Sequence, residues 1–400
     1  MNKRIDKKDW KMTAFGEMCK NLNASERDPL SNGIERYIGL EHIETNNLHI
    51  KTWGKIAEGT TFTKRFTKGH VLFGKRRSYL RKAAVADFDG LCSGDILVFE
   101  ANTKVIDPNL FPFIVSSDRF FEHAIQTSAG SLSPRTKFQD LAKLEFLLPP
   151  KDEQRKLANL LWAADHVVDK YYELLNQLVN FKYNITKRLL NSEIIIVANK
   201  IKKKQNGEWS RIKLGDVSII KGRIGWRGLK QSEYTSDGPF LIANKHITDG
   251  KVLWEKCDHI NEIRYNESTE IALENGDIIF SKDGVLGNPA IIENLDFKAT
   301  INSTMMLVRP IKELNSYYLF QLLKSYLFDN LIRERVSGTT IPHLFQADMK
   351  EFVIPFPSKK EQSQISDYFE NVDNKIRSVK HQINLSRNLM KQLINQIFSM

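Results

Sequence analysis

The 400-residue sequence predicts an α+β fold, with two mixed α/β domains that are each followed by a long helix. The two helices are expected to form an antiparallel coiled coil with pseudo-two-fold symmetry. Three observations support this prediction: the chain repeats itself with a period of about half its length, a heptad pattern follows each half, and short strand-like segments separated by turn signals fill the rest.

The repeat consists of short motifs that recur in the same order, at offsets between 199 and 208 residues. The matched positions are Trp10 and Trp209, His42 and His246, Gly69 and Gly276, Gly130 and Gly338, and Glu153-Gln154 and Glu361-Gln362. Each match is weak alone, but a shared order over the whole chain indicates duplication. The drifting offset predicts that loops differ in length between the two halves.

Two apolar seams with alternating steps of four and three residues predict two coiled-coil helices of about 40 residues each. The first seam comprises Leu157, Leu161, Ala164, Val168, Tyr171, Leu175, Leu178, Ile185 and Leu189, with Lys182 interrupting it. The second comprises Ile365, Phe369, Val372, Ile376, Val379, Ile383, Met390, Leu393 and Ile397, interrupted by Ser386. Ser358 and Glu361 form a capping-box pattern at the second helix start. Separate helices, each packed on its own domain, are the alternative.

These signals divide the chain into residues 1–150, a first domain; 151–192, a helix; 193–208, a solvated linker; 209–357, a second domain; and 358–400, a second helix. Short strands are expected at Val71–Phe73, Asp95–Phe99, Phe146–Leu148, Phe240–Ile242, Asp277–Phe280, Met305–Val308 and Phe352–Ile354. One further helix is expected in each domain, at Arg119–Ala129 and Ser316–Val336.

The net charge of +11 favours a polyanionic partner, although a soluble protein can also simply be basic. The three cysteines form no Cys-x-x-Cys pair, which fits a reducing cytoplasm. We see neither a secretory signal nor an apolar run of about 20 residues, so a cytoplasmic protein is expected.

Basic side chains concentrate in turns that lack acids, where arginine and lysine can neutralise phosphates or contact guanine. Residues 64–82 carry eight lysines and arginines and no acid, and residues 221–228 add glycines and a tryptophan. The turns 130–135 and 338–343 are predicted to be further DNA-facing loops. For the basic runs, a merely solvated charged face is the alternative. The candidate DNA-binding residues are Lys64, Arg65, Lys75, Arg76, Arg77, Tyr79, Arg81, Lys82, Arg135, Lys221, Arg223, Trp226, Arg227, Lys245, Lys282 and His343.

Catalytic patterns are missing from the sequence, so we predict no catalytic residue and no metal site. It has no Gly-x4-Gly-Lys-Ser/Thr loop, no Asn-Pro-Pro-Tyr/Phe tetrapeptide and no Gly-x-Ser-x-Gly. Cys257-Asp258-His259 lacks a second pair at zinc spacing. Asp296-Phe297-Lys298 lacks the upstream acid that a metal-dependent nuclease needs.

Taken together, the chain resembles the specificity (S) subunit of type I restriction–modification systems. The resemblance rests on Trp10 with Phe15-Gly16-Glu17, on Trp209 with Leu214-Gly215-Asp216, and above all on two junctions. These are Leu148-Pro149-Pro150 with Glu153-Gln154, and Phe356-Pro357 with Glu361-Gln362, each followed by a heptad seam. It covers nearly the whole chain.

The resemblance implies two target-recognition domains that each read one half of a bipartite, asymmetric DNA target, with the helix pair as spacer. It implies two methylation subunits and two restriction/translocase subunits as partners of a non-catalytic chain. S-adenosylmethionine, ATP and magnesium would then bind to those partners and not to this chain. A DNA-binding enzyme (methyltransferase or nuclease) and a protein-only coiled-coil scaffold are the alternative functions.

Overall fold

The computed structural model describes residues 7–204, 208–223, 229–311, 313–336 and 342–399. The chain divides into two compact units. The first contains residues 1–173 and 380–400, and the second contains residues 174–379. Two helices of 40 residues each run from one unit into the other.

The first unit consists of short strands and short helices, together with parts of the two long helices. Its strands are β1 (Lys11–Ala14), β2 (Cys19–Leu22), β3 (Arg36–Ile38), β4 (Gly54–Lys55), β5 (Lys64–Phe66), β6 (Val71–Gly74), β7 (Ala83–Val85), β8 (Gly90–Cys92), β9 (Ile96–Ala101) and β10 (Glu145–Leu148). Its helices are α1 (Phe15–Met18), α2 (Phe111–Ser116), α3 (Asp118–Gln126), α4 (Phe138–Leu141) and the beginning of α5 (Lys151–Leu190).

The second unit has the same kinds of element. Its strands are β11 (Ile194–Val197), β12 (Lys200–Lys203), β13 (Ser210–Lys213), β14 (Ser218–Gly222), β15 (Tyr234–Ile242), β16 (Ile247–Thr248), β17 (Lys251–Val252), β18 (Asp258–Ile260), β19 (Ile278–Ser281), β20 (Gly287–Ile291), β21 (Ala299–Ile301), β22 (Met305–Pro310) and β23 (Val353–Phe356). Its helices are α6 (Leu214–Val217), α7 (Glu262–Asn266), α8 (Ser316–Leu322), α9 (Tyr326–Val336), α10 (Gln346–Glu351) and the beginning of α11 (Lys359–Phe398).

Sheet topology confirms that the two units are copies of one fold. A four-stranded sheet has the order β2-β9-β6-β7 in the first unit and β14-β22-β19-β20 in the second. In each unit a further strand pair is parallel, β3 with β8 and β15 with β21. An antiparallel pair joins the start of each unit to the strand before its long helix, β1 with β10 and β13 with β23.

Glycines at matched positions support the same alignment. Gly69 precedes β6 with a φ of +90°, and Gly276 precedes β19 with a φ of +93°. Residues other than glycine rarely adopt such angles. The strand that follows each glycine is fully buried in both units. All seven predicted strands overlap a strand of the structure, with ends that differ by a few residues.

Each unit has its own hydrophobic core, which includes parts of both long helices. In the first unit, Leu161 near the start of α5 shares the core with Ile397 near the end of α11. In the second unit, Leu189 near the end of α5 shares the core with Ile365 near the start of α11. The two helices therefore run antiparallel where they pack, as predicted, and the alternative of separately packed helices is wrong. None of the described helices is both long enough and apolar enough to cross a membrane.

A buried glutamine explains the Glu-Gln motif at both helix starts. The side-chain amide of Gln154 donates to the Pro149 carbonyl at 2.9 Å, and its oxygen accepts from the Asp107 amide at 2.7 Å. In the second unit, Gln362 donates to the Pro357 carbonyl at 3.0 Å and accepts from the Asn315 amide at 2.8 Å. Each glutamine thus ties the first turn of a long helix to its domain.

The capping box predicted at the second helix is also present. The Ser358 amide donates to Glu361 Oε2 at 2.9 Å, and the Glu361 amide donates to Ser358 Oγ at 3.4 Å. Glu361 also accepts a hydrogen bond of 3.1 Å from the Trp209 indole. The matched indole nitrogen of Trp10 is buried without a partner among the described residues, so the two junctions differ here.

Two predictions about local structure need correction. Residues 193–208 were predicted to be a solvated linker, but β11 and β12 pair as an antiparallel hairpin there. Ile194 and Ile196 are buried in the core of the second unit, and their burial stabilises the hairpin. The predicted helix Ser316–Val336 is two helices, because the chain turns at residues 323–325 between α8 and α9.

The polar interruption of the first seam is a buried ion pair. Lys182 Nζ lies 2.6 Å from Asp373 Oδ1, and both side chains are largely buried. Tyr317 and Gln321 also donate to Asp373 Oδ2, at 3.0 and 2.9 Å. Burial lowers the pKa of Lys182 to about 8, although Asp373 offsets part of that effect. Lys182 is therefore still protonated at pH 7, and the carboxylate has three donors.

Replacing Lys182 alone should destabilise the second unit strongly. The variant K182M leaves the Asp373 charge buried without a counter-ion, and we expect a loss of about 3 kcal/mol in unfolding free energy at pH 7. The double variant K182M/D373N removes both charges and keeps an acceptor for Tyr317 and Gln321, so it should recover most of that loss. Urea denaturation followed by circular dichroism measures both, and equal losses in the two variants would contradict this account.

Candidate nucleic-acid interface

In the first unit the structure brings two of the predicted DNA-facing turns together. One is the basic turn after β6, and the other is the loop that ends at Thr136. The Arg77 amide donates to the Pro134 carbonyl at 2.8 Å, and the Thr136 amide donates to the Lys75 carbonyl at 3.1 Å. Arg76 and Arg135 form an isolated β-bridge between them. We call residues 75–82 and 129–136 the first turn pair.

The second unit repeats this arrangement with the same backbone hydrogen bonds. The Gly284 amide donates to the Pro342 carbonyl at 3.1 Å, and the Leu344 amide donates to the Lys282 carbonyl at 2.9 Å. Asp283 and His343 form the isolated bridge. Residues 282–284 and 342–344 are the second turn pair; residues 337–341, which include the predicted turn start at Gly338, lie outside the described residues.

The two turn pairs have matching backbone hydrogen bonds but carry different side chains. In the first turn pair, Arg76 and Arg135 both pair with Asp95, with closest nitrogen–oxygen distances of 3.0 and 2.8 Å. Burial alone would raise the pKa of Asp95, but the hydrogen bonds and charges of Arg135 and Arg76 outweigh it and lower that pKa. The two arginines and the one carboxylate leave one positive charge in excess, and the contacts with Asp95 fix the position of that charge.

In the second turn pair the acid is part of the turn itself. Lys282 Nζ lies 2.9 Å from Asp283 Oδ2, and His343 Nδ1 contacts Asp283 Oδ1. Burial would raise the pKa of Asp283, but Lys282 and His343 outweigh it, so that pKa is lowered. The His343 ring packs edge-on against exposed Phe345 at 4.3 Å. This surface therefore offers a different set of donors and charges from the first.

Four other predicted residues lie in or beside the first turn pair. Tyr79 is 54% exposed, and Lys75 is partly buried without a side-chain partner among the described residues. Arg77 has a φ of +54°, in the left-handed region, and its counterpart Gly284 has a φ of +69°. The Arg77 Nε is buried without a hydrogen-bond partner among the described residues. Lys82 donates to the Leu40 carbonyl at 2.5 Å, which holds it against the domain.

The remaining candidates of the first unit are engaged in protein contacts. Arg81 lies 2.6 Å from Asp118, donates to Asn46 at 2.8 Å and covers the Phe121 ring. Lys64 donates to the Ile96 carbonyl at 3.0 Å, and burial lowers its pKa. Arg65 lies 3.8 Å from Glu26. Arg81 thus lies within the first turn pair but is held against the domain by these contacts, whereas Lys64 and Arg65 lie on β5, outside both turns.

In the second unit one prediction is wrong. Arg223 is 5% exposed, and its guanidinium donates to the Ile301 carbonyl at 3.1 Å and to Ser268 and Thr300. Burial lowers its pKa. A side chain enclosed in this way holds the domain together and is not a DNA contact. Its place in an acid-free run gave no sign of this.

Three candidates near Arg223 have other surroundings. Lys221 is exposed on β14, and Lys245 is exposed with its Nζ 3.0 Å from Asp258. Trp226 and Arg227 lie outside the described residues. The structure does not bring Lys245 into the second turn pair through any described hydrogen bond or ion pair.

The matched histidines have a structural role. His42 Nδ1 accepts the Gly39 amide at 2.9 Å, and His246 Nδ1 accepts the Ala243 amide at 3.1 Å. Each imidazole closes the short helical turn that follows β3 or β15. The duplication of this bond explains why histidine recurs at both positions.

Sequence reasoning missed Asp95 and Asp283. An acid in a basic run indicates a weaker phosphate contact, so neither carboxylate was predicted to belong to the site. The position of Asp283, next to Lys282 in the matched turn, was the available signal. Asp95 is distant in sequence from both arginines and becomes visible only because β9 lies beside β6.

The enzyme-like patterns do not assemble into a centre. Cys257, Asp258 and His259 contact different groups: the Leu253 carbonyl, Lys245 and the Gly238 carbonyl. Asp296 is exposed, and Lys298 pairs with Glu262 at 2.8 Å.

Comparison with known proteins agrees with the resemblance. The model of the family described as type I restriction modification DNA specificity domain matches residues 7–194 and again residues 206–386. Among curated proteins, the type I restriction enzyme MjaVIII specificity subunit of Methanocaldococcus jannaschii is 22% identical over 318 residues, covering 76% of this chain and 73% of that protein. The MjaIX specificity subunit of the same organism is 25% identical over 280 residues, covering 67% of this chain and 63% of that protein.

A solved structure shows the same fold. The S subunit of a type I restriction–modification system from M. genitalium is 16% identical, with a TM-score of 0.60, and the match covers 100% of this chain and 98% of that one. Such low identity means that the likeness concerns the fold and carries no residue roles across.

The ion pairs of Asp95 should hold the first turn pair closed. In the variant D95N the charge is lost, and we expect hydrogen exchange at the Arg77 and Thr136 amides, which join the two turns, to be faster by about fivefold, as suits partly exposed pairs. D87N, at an exposed acid without a described partner, is the matched control. Because the pKa of Asp95 is lowered, wild type should show the same loosening as the pH falls below 3.8. Unchanged exchange in D95N would contradict the role of these pairs.

Proposed function

Because the chain belongs to the type I restriction modification DNA specificity family, we propose that it selects a bipartite, asymmetric DNA target for a type I restriction–modification complex. One observation carries this proposal. Both units build the same pair of turns from the same backbone hydrogen bonds, but they present different side chains on it. A shared framework with different surface groups suits two readers of two different sequences.

The first turn pair suits a nucleic-acid contact through its charge and hydrogen-bonding groups. Arg76 and Arg135 are partly exposed, so their free donors can contact phosphate or fork onto guanine while Asp95 orients them. Exposed Tyr79 lies in the same turn and offers a ring for stacking or a sugar contact. We therefore keep Lys75, Arg76, Arg77, Tyr79 and Arg135 as the proposed contacts of the first unit.

In the second unit the proposed contacts are Lys282 and His343, with Lys221 as a further phosphate ligand. Asp283 holds Lys282 and His343 next to each other. Its carboxylate can also accept a hydrogen bond from a cytosine amino group, which the first turn pair cannot match in the same way. The two surfaces should thus prefer different bases.

The long helices offer a docking surface for partner subunits. In the first unit, Leu160 and Val167 on α5 are 51% and 48% exposed. In the second unit, Leu174 and Phe181 on the same helix are 40% and 42% exposed. Each pair is separated by seven residues, so both members face the same side, away from the buried seam. We propose that helices of the methylation subunits pack on these residues.

The remaining parts of the proposal come from family membership. Two methylation subunits and two restriction/translocase subunits would complete the complex. S-adenosylmethionine, ATP and magnesium would bind to those partners, and this chain would contribute target selection and no catalytic group.

Methylome sequencing tests the proposal directly. Cells that express this chain with the methylation subunit of its host should carry methylated adenines in a two-part motif with unequal halves. The variant R76Q/R135Q should change the preference in one half, and H343Q should change it in the other, because each substitution affects one reader. A palindromic or continuous motif would contradict the two-reader model.

Salt dependence of DNA binding gives a second test. In the variant R76Q/R135Q, bound to the methylation subunits, the slope of log affinity against log salt should become less negative by about 2, since each phosphate contact contributes about −0.9. R155Q/K156Q removes two exposed charges from the start of α5 and is the matched control. Equal effects in both variants would show a diffuse charge effect and no specific contact at the turn pair.

A further inference from the structure

Three side chains that commonly bind metals converge in the first unit, away from the turn pair. His49 Nε2 lies 2.5 Å from Asp165 Oδ2 and 3.1 Å from Asp169 Oδ2. One oxygen of each aspartate and this nitrogen all lie within 4.8 Å of one another. The aspartates are one turn apart on α5, so both face the same side of the helix. His49 comes from the loop between β3 and β4.

The matched place in the second unit shows what is unusual here. Asp373 corresponds to Asp165, 208 residues on, and Lys182 neutralises it. In the first unit the position matched to Lys182 is Met390, which has no charge. No lysine or arginine of the described residues lies within 4.0 Å of either Asp165 or Asp169. Two carboxylates thus share one imidazole nitrogen, and among these three side chains even an imidazolium leaves one negative charge in excess.

The surroundings leave space for additional ligands. A cavity of about 560 Å³ opens beside the two aspartates, and both line it. Asn47 and Tyr172 also line this cavity, as do the cations Arg81, Arg387 and Lys391. Water molecules there could complete the coordination sphere of an ion. In the second unit, by contrast, Asp373 is saturated by Lys182, Tyr317 and Gln321.

We propose that His49, Asp165 and Asp169 bind one divalent transition-metal ion. A nitrogen with two carboxylate oxygens suits Zn²⁺ or Mn²⁺. Ligand atoms at about 2.1 Å from one ion are roughly 3.0–3.4 Å apart, so the His49–Asp169 distance already fits and the His49–Asp165 contact needs to open slightly. The bound ion replaces the shared proton and balances the excess charge.

The ion would connect the β3–β4 loop to the long helix. The Asn47 side chain accepts the His49 amide at 2.9 Å, so the loop holds the imidazole in place. The Trp162 ring packs edge-on against it at 5.9 Å, and Trp162 is fixed by a bond to the Asn109 carbonyl. Binding would therefore stabilise the first unit, with no counterpart in the second.

Metal titration of the full chain, purified without a histidine tag, tests this site. Zn²⁺ and Mn²⁺ should each bind at one equivalent in calorimetry, and Co²⁺ should give the visible absorption bands of a nitrogen- and oxygen-ligated ion. The melting temperature should rise with metal concentration, as binding to the folded state requires. D169N should weaken binding by more than about tenfold, since the loss of even an outer partner costs about 10–100-fold.

Two variants make the outcome decisive. H49Q removes the nitrogen ligand. D169N removes one carboxylate ligand but keeps the His49–Asp165 hydrogen bond, so it provides a second test if H49Q does not fold. H166Q replaces an exposed histidine beside Asp165 and should bind metal like wild type. Absence of binding by wild type at millimolar metal would overturn the proposal and leave a plain ion pair. Binding that survives both H49Q and D169N would place the ion elsewhere and also overturn it.

Discussion

A buried amide at the start of each long helix fixes how the helix leaves its domain. Gln154 and Gln362 each bond to a proline carbonyl behind them and to a backbone amide 47 residues earlier in the chain. An amide has both a donor and an acceptor, so it satisfies two buried groups at once, whereas a carboxylate or an apolar side chain would leave at least one unsatisfied. The first turn of each long helix is thereby tied to its domain.

The turn pairs show where the two halves are free to differ. The hydrogen bonds that shape each turn pair are made by the backbone, and the buried sheet lies behind them. Substitutions at Arg76, Arg135 or their counterparts therefore do not disturb the core. Arg223 shows the opposite case, since its donors are used inside the domain. The burial of a residue therefore distinguishes a structural role from a surface contact more reliably than its charge does.

Much of the fold could be predicted from the sequence because it depends on periodic or repeated signals. The heptad seams, the proline-to-glutamine junctions and the matched glycines are all local patterns whose structural meaning is independent of tertiary context. The hairpin of β11 and β12 was missed because a run of lysines hid two buried isoleucines, Ile194 and Ile196. The break between α8 and α9 was missed because apolar periodicity continues across it.

The candidate site was less predictable, for a physical reason. Whether an arginine faces solvent or closes a core depends on partners distant in sequence, such as Asp95 for Arg76 and Thr300 for Arg223. The cluster of His49, Asp165 and Asp169 could not be predicted from the sequence for the same reason. Asp165 and Asp169 are ordinary charges on a helix, and His49 is 116 residues away from Asp165, so no motif joins them.

The ion pair of Lys182 and Asp373 has a consequence for the alignment of the two helices in the second unit. A shift of α5 by one heptad would bring Leu175 or Leu189 opposite Asp373, and apolar contacts alone would tolerate that shift. The carboxylate would then be buried without its cation, at a cost of about 3–5 kcal/mol. A single polar pair in an otherwise apolar interface thus fixes the register of α5 against α11. The hydrophobic repeat alone would allow several registers, each with a different length of paired helix.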